Sequence, residues 1–79
     1  MKAQNHIETL NKYIERFPNE INFVSVTLDE LEKDEDKLNK CIDFVIGLFA
    51  KIGLSENMAP TPDGIRLDAC LEFLGDIKK

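Results

Sequence analysis

The stretch Ala59-Pro60-Thr61-Pro62-Asp63-Gly64-Ile65-Arg66-Leu67 decides between two folds for this chain. Its Pro-Asp-Gly sequence is the strongest turn signal present, because each of these residue types favours tight turns for its own conformational reason. Since residues 65–67 then alternate apolar and polar side chains, we favour a strand there, paired with residues 55–58 in a β-hairpin. In the rival interpretation, Thr61 caps a helix that has Pro62 at its first position and covers residues 62–78.

The N-terminal third predicts one helix and one short strand. Apolar residues spaced by 3, 4 and 3 positions predict a first helix over residues 3–17, which Pro18 ends because the residue before a proline disfavours helical backbone. The spaced residues are Ile7, Leu10, Ile14 and Phe17. Residues 21–27 are rich in β-branched and aromatic types, which favour a short extended strand.

The middle of the chain carries clear helix signals. Thr27-Leu28-Asp29-Glu30 matches a capping box, so a helix should start near Leu28. The charged residues 32–36 are either the exposed middle of one long helix or a turn in which Asp34 or Asp36 caps a new helix. Helical spacing is strong over residues 38–52, and Gly53 is well placed to end that helix in a left-handed conformation.

The order of these elements, together with Lys51-Ile52-Gly53-Leu54, resembles the winged helix-turn-helix superfamily. The resemblance implies a mostly α fold with a small β-hairpin (α+β), in which the hairpin is the wing and the third helix is the recognition helix. The runner-up is an all-α bundle of three or four helices. In either case we expect a single domain over residues 1–79, because a chain of 79 residues cannot enclose two cores.

One face of the third helix is the leading functional candidate. With Leu38, Ile42, Val45 and Phe49 directed into the core, a second stripe spaced by 3 and 4 positions remains: Lys37, Lys40, Phe44, Gly47 and Lys51. We interpret the stripe as a contact face with Phe44 as an exposed anchor, Gly47 allowing close approach and lysines attracting an acidic partner. In the alternative, Phe44 belongs to a core covered on two sides and the lysines are solvated.

Charge guides the choice of partner. Ten Lys and Arg against fifteen Asp and Glu give a net charge of −5, which disfavours binding nucleic acid through bulk charge. We therefore expect a regulatory or adaptor module that binds a protein partner or a second copy of itself. The alternative is a DNA-binding winged-helix transcription regulator with contacts from Asn39, Lys40 and Arg66, and a third hypothesis is a structural helical subunit.

Catalytic and metal-binding patterns are weak. His6 is the only histidine, and no Ser or Cys has a histidine partner for nucleophilic chemistry. We expect no enzyme, no catalytic residues, no metal, no cofactor and no small-molecule substrate.

Cys41 and Cys70 each lie in an apolar helical pattern, which indicates buried reduced thiols and, without a secretory signal, a cytoplasmic protein. The longest apolar run falls well short of the roughly 20 residues that span a membrane, so we expect no membrane partner.

Overall fold

The computed structural model describes residues 2–22 and 24–78 of the chain. Within these ranges it forms four helices: α1 (Lys2–Arg16), α2 (Leu28–Lys33), α3 (Glu35–Ile52) and α4 (Pro62–Lys78). The described residues form no strand, and the only β contact among them is an isolated antiparallel bridge between Leu54 and Pro60. The fold is therefore the all-α alternative, and the expected α+β winged helix is wrong.

The turn-rich stretch begins a helix rather than closing a hairpin. The Thr61 hydroxyl accepts a hydrogen bond from the Gly64 N–H at 3.0 Å and donates to the Ile52 carbonyl at 2.8 Å. Pro62 occupies the first helical position, where its missing N–H costs nothing. Residues 65–67, which the hairpin prediction placed in a strand, lie inside α4. The predicted wing is wrong because Leu67, Cys70 and Leu74 continue at helical spacing and are all buried.

The junction between α3 and α4 depends on two glycines. A Cβ atom on Gly64 would lie 2.0 Å from the Gly53 carbonyl oxygen, so only glycine allows the first turn of α4 to reach the end of α3. The Thr61 N–H also donates to the Gly53 carbonyl, at 2.9 Å. Gly53 itself keeps right-handed backbone with φ −81°, so its predicted left-handed conformation is wrong. The left-handed residue of this connection is Met58, with φ 63°.

The predicted strand over residues 21–27 is also absent, as judged from residues 21, 22 and 24–27; Phe23 lies outside the described residues. A side chain of α1 takes the place of a strand partner. The Asn11 Nδ2 donates to the Val26 carbonyl at 3.0 Å, and the Val26 N–H donates to Asn11 Oδ1 at 2.8 Å. Val26 is buried, so this paired contact holds the connection against the core.

The α2–α3 corner follows the sequence prediction closely. The Thr27 hydroxyl accepts from the Glu30 N–H, and the Glu30 carboxylate accepts from the Thr27 N–H, both at 3.2 Å. This confirms the capping box. Asp34 ends α2 and caps α3 by accepting from the Lys37 N–H at 3.1 Å, so the charged run is divided between two helices that meet at this single residue.

All four helices and Val26 contribute to one cluster of buried residues. Its members are Ile7, Leu10, Tyr13, Ile14, Val26, Leu31, Leu38, Cys41, Phe44, Val45, Leu48, Leu67, Cys70 and Leu74. Both cysteines are free and buried, as predicted. The buried face of α3 differs from the predicted stripe. Ile42 and Phe49, which were predicted to face the core, are only half-buried, whereas Phe44 is buried.

Candidate functional site

The residue at the centre of the predicted contact face of α3, Phe44, is buried and not exposed. Phe44 is only 5% exposed, so the expectation that it is an exposed anchor is wrong. Lys40, Gly47 and Lys51 are exposed and Lys37 is half-buried. α3 packs against α2 as well as α4, and Phe44 lies on the side of α3 that faces residues 20–22.

The three lysines of this face are already paired within the domain. Lys37 contacts Glu30, the Lys40 Nζ lies 3.2 Å from an Asp36 oxygen, and the Lys51 Nζ lies 2.5 Å from a Glu20 oxygen. The hydrogen bond from Lys37 lowers the pKa of Glu30 below its ordinary value. Each lysine therefore has a carboxylate of the same chain as its neighbour, which reduces the positive charge that this face presents.

A groove nevertheless lies on this face, between α3 and residues 20–22. Its volume is about 270 Å³. We call it the α3 groove; it is lined by Glu20, Ile21, Asn22, Lys40, Asp43, Phe44 and Gly47. Three of the five residues predicted for the contact face therefore line one groove, and the 20–22 segment, which the sequence analysis did not include, completes it.

Gly47 lines the α3 groove and has open space beside it. A Cβ atom at this position would meet no heavy atom within 4 Å outside its own stretch of helix, so packing inside the chain does not require glycine there. Glycine in a helix interior is about 1 kcal/mol less favourable than alanine. The sequence thus carries a residue that is unfavourable in a helix at a position that lines the α3 groove, where a side chain would have open space. Gly75 in α4 has the same open surroundings and lies outside the groove.

The charges around the α3 groove favour a basic ligand. Glu20 is paired with Lys51, and Lys40 is paired with Asp36. Among the residues that the structure describes, no cation lies within ion-pair distance of the Asp43 carboxylate. The groove therefore carries one uncompensated acid in a chain whose net charge is −5.

The residues suggested for DNA contact are spread along the molecule. Asn39 Oδ1 accepts a hydrogen bond from the Lys78 Nζ at 2.9 Å, which places Asn39 beside the end of α4. Arg66 lies near the start of α4, about 18 Å from Lys78 along the helix axis for a rise of 1.5 Å per residue. Asn39 and Arg66 therefore lie toward opposite ends of α4, and the DNA contact stays a prediction.

The sequence analysis missed a second polar cluster, between α1 and α4. The Tyr13 hydroxyl donates to Asp63 Oδ1 at 2.7 Å, and guanidinium nitrogens of Arg16 and Arg66 lie 3.6 Å and 3.5 Å from the same oxygen. The Tyr13 hydrogen bond, supported by both arginine charges, lowers the pKa of Asp63. Burial raises the pKa of Tyr13. The available signal was the spacing of residues 9, 12, 13 and 16 on one face of α1.

The described part of the chain gives little support for a metal site or a membrane-spanning helix. No group of three His, Cys, Asp or Glu side chains there is arranged to hold a metal ion. The ring of His6 stacks on Phe73 with centroids 5.0 Å apart. Over the same residues, no helix has the length and apolar character needed to cross a bilayer.

Comparison with known protein families, curated protein sequences and solved structures found no match to this chain.

Proposed function

We propose that this chain is a non-enzymatic regulatory or adaptor module that binds another protein through the α3 groove. The observation that carries the proposal is Gly47, an exposed glycine inside a helix that lines the groove and has open space where a side chain would stand. Ile21 and Phe44 give the groove apolar lining, and polar groups surround them. Apolar pockets with a polar rim are typical of sites that receive an anchor side chain from a partner.

The partner chemistry that fits is a large apolar side chain next to Lys or Arg. The apolar side chain would pack against Ile21 and Phe44, and the basic residue would face Asp43. A net charge of −5 would steer such a segment toward the chain. Self-association through the same groove would bring two acidic surfaces together, so charge favours a different protein over a second copy.

A reducing, cytoplasmic location is part of the proposal. Its support is the pair of buried free thiols, Cys41 and Cys70, which pack as small apolar residues.

The test uses a phage-displayed library of short random peptides selected on the full chain. We expect enriched peptides to share one aromatic or large aliphatic residue adjacent to Lys or Arg. Binding of a selected peptide should weaken about tenfold or more with Gly47→Gln, because the new side chain fills the groove.

Gly75→Gln is the matched control, because Gly75 is also a helical glycine at which an added Cβ atom would meet nothing within 4 Å. Both variants should retain the helical circular dichroism of the parent. An acidic consensus, or equal binding by the Gly47→Gln and Gly75→Gln variants, would contradict the proposal. Concentration-dependent dimerisation lost in Gly47→Gln alone would instead assign the groove to a second copy.

A further inference from the structure

A cavity of about 380 Å³, open to solvent, lies at the polar cluster between α1 and α4. It is lined by Thr9, Lys12, Tyr13, Arg16, Asp63 and Arg66. Three basic side chains and a single carboxylate therefore line the cavity, which leaves an excess of positive charge in a chain that is acidic overall. This cluster lies on other elements than the α3 groove and is independent of the proposed function.

Asp63 uses only a small part of the hydrogen-bonding capacity around it. Arg16 and Arg66 each approach the same Asp63 oxygen with one nitrogen, at 3.6 Å and 3.5 Å. A guanidinium group has five N–H donors, so most donors of both arginines remain available. The Arg16 and Arg66 side chains are 57% and 61% exposed, so a ligand from solvent can reach them.

Lys12 adds a third positive charge. No carboxylate of the described ranges lies within ion-pair distance of its Nζ. The Thr9 hydroxyl donates to the Asn5 carbonyl at 2.9 Å, so the donors left for a ligand belong to the basic side chains.

We propose that Lys12, Arg16 and Arg66 form a binding site for a phosphate group. A phosphate monoester carries close to two negative charges at neutral pH, which matches the excess positive charge of the cluster. Its oxygens can accept paired N–H donors from a guanidinium fork, and arginine binds phosphate in this way more readily than a point charge does. Asp63 holds the two guanidinium groups near one point before a ligand arrives.

The experiment titrates the full chain with inorganic phosphate at constant ionic strength and follows amide and arginine Nε–H signals by NMR. We expect saturable shifts at Arg16 and Arg66. Lys12→Gln and Arg66→Gln should each weaken binding several-fold, and acetate should bind far more weakly than phosphate. Lys12 is exposed and not bound to Asp63, so its variant tests the site without disturbing the contact between α1 and α4.

Lys33→Gln is the control, because Lys33 is an exposed lysine on α2 that is paired with Asp29 at 3.2 Å. Shifts that rise linearly without saturation, an equal response to acetate, or unchanged binding by Lys12→Gln would overturn the proposal. A second arm compares O-phosphoserine with a short peptide containing phosphoserine. Equal affinities indicate a small phosphorylated ligand and tighter peptide binding indicates a phosphorylated protein, whereas no saturable binding by either overturns the site.

Discussion

The backbone of Gly64 lies directly against the backbone of Gly53, so that a Cβ atom on Gly64 would come within 2.0 Å of the Gly53 carbonyl oxygen. This approach joins the end of α3 to the start of α4 and makes the two helices antiparallel neighbours. The hydrogen bond from the Lys78 Nζ to Asn39 Oδ1 joins the opposite ends of the same pair.

Gly64→Ala should therefore destabilise the chain by about 3 kcal/mol, because the added methyl group meets backbone that cannot rotate away. The measurement is the free energy of unfolding from urea titration. Gly75→Ala is the matched control in the same helix, and it should stabilise the chain by about 1 kcal/mol because nothing opposes the new Cβ atom. Similar stabilities for the two variants would show that the close approach is absent in solution.

Asn11→Ala should destabilise the chain by about 2 kcal/mol, since it leaves both the N–H and the carbonyl of Val26 without their partner. Thermal or urea unfolding measures the effect. Thr9→Ala, on the same helix, removes only an exposed hydrogen bond to the Asn5 carbonyl and should have little effect. If Asn11→Ala were as stable as Thr9→Ala, the connection would not depend on the Asn11 contact.

Asp63 should make stability depend on pH in the acid range. Its pKa in the folded chain is lowered from the ordinary value of 3.8, first by the Tyr13 hydrogen bond and then by the arginine charges. Its stabilising contribution is present above the ordinary pKa and is lost as pH falls through the lower, folded pKa. Asp63→Asn should flatten the fall in stability below about pH 4, as followed by urea unfolding at a series of pH values. Asp68→Asn, which changes an exposed carboxylate of the same helix, is the matched control.

Cys41 and Cys70 should react slowly with a thiol reagent in the native chain. Burial raises the pKa of each thiol to about 11, so little reactive thiolate exists near neutral pH. The rate of modification by a disulfide reagent should rise steeply with urea, in parallel with unfolding. Fast modification of either thiol without denaturant would show that its helix opens locally.

Local signals in the sequence predicted much of the helical framework. Pro18 follows the end of α1, and Thr27 and Glu30 form the predicted capping box at the start of α2. The first feature depends on a steric restriction between neighbouring residues and the second on hydrogen bonds between residues three positions apart, so both can be read from a short stretch of sequence.

The hairpin prediction failed because the same residues suit both a tight turn and the start of a helix. Pro62, Asp63 and Gly64 satisfy a tight turn, but they equally provide the first three positions of a helix capped by Thr61. One contact that accompanies the helix, the fit of Gly64 against Gly53, joins residues eleven positions apart in the sequence. Similarly, the strand prediction for residues 21–27 could not include Asn11, whose side chain replaces a strand partner for Val26.

The contact face of α3 was predicted in part. Spacing alone placed Lys40, Phe44 and Gly47 together, and the α3 groove contains all three. Spacing could not reveal that α3 is covered along two edges, which buries Phe44, or that Glu20 would arrive to pair with Lys51. The sign of the partner charge changes as a result, from acidic in the sequence analysis to basic in the proposal.

The most direct test of the proposed binding site in the α3 groove is an NMR titration of the chain with a selected basic, apolar peptide. It follows the amide signals of the four glycines. Glycine amide nitrogens resonate apart from most others, so the four signals report on separate parts of the fold. We expect the signals of Gly47 and of residues 21 and 22 to shift and saturate together, while those of Gly64 and Gly75 stay in place. Larger shifts at Gly75 or Gly64 than at Gly47 would contradict a binding site in the α3 groove.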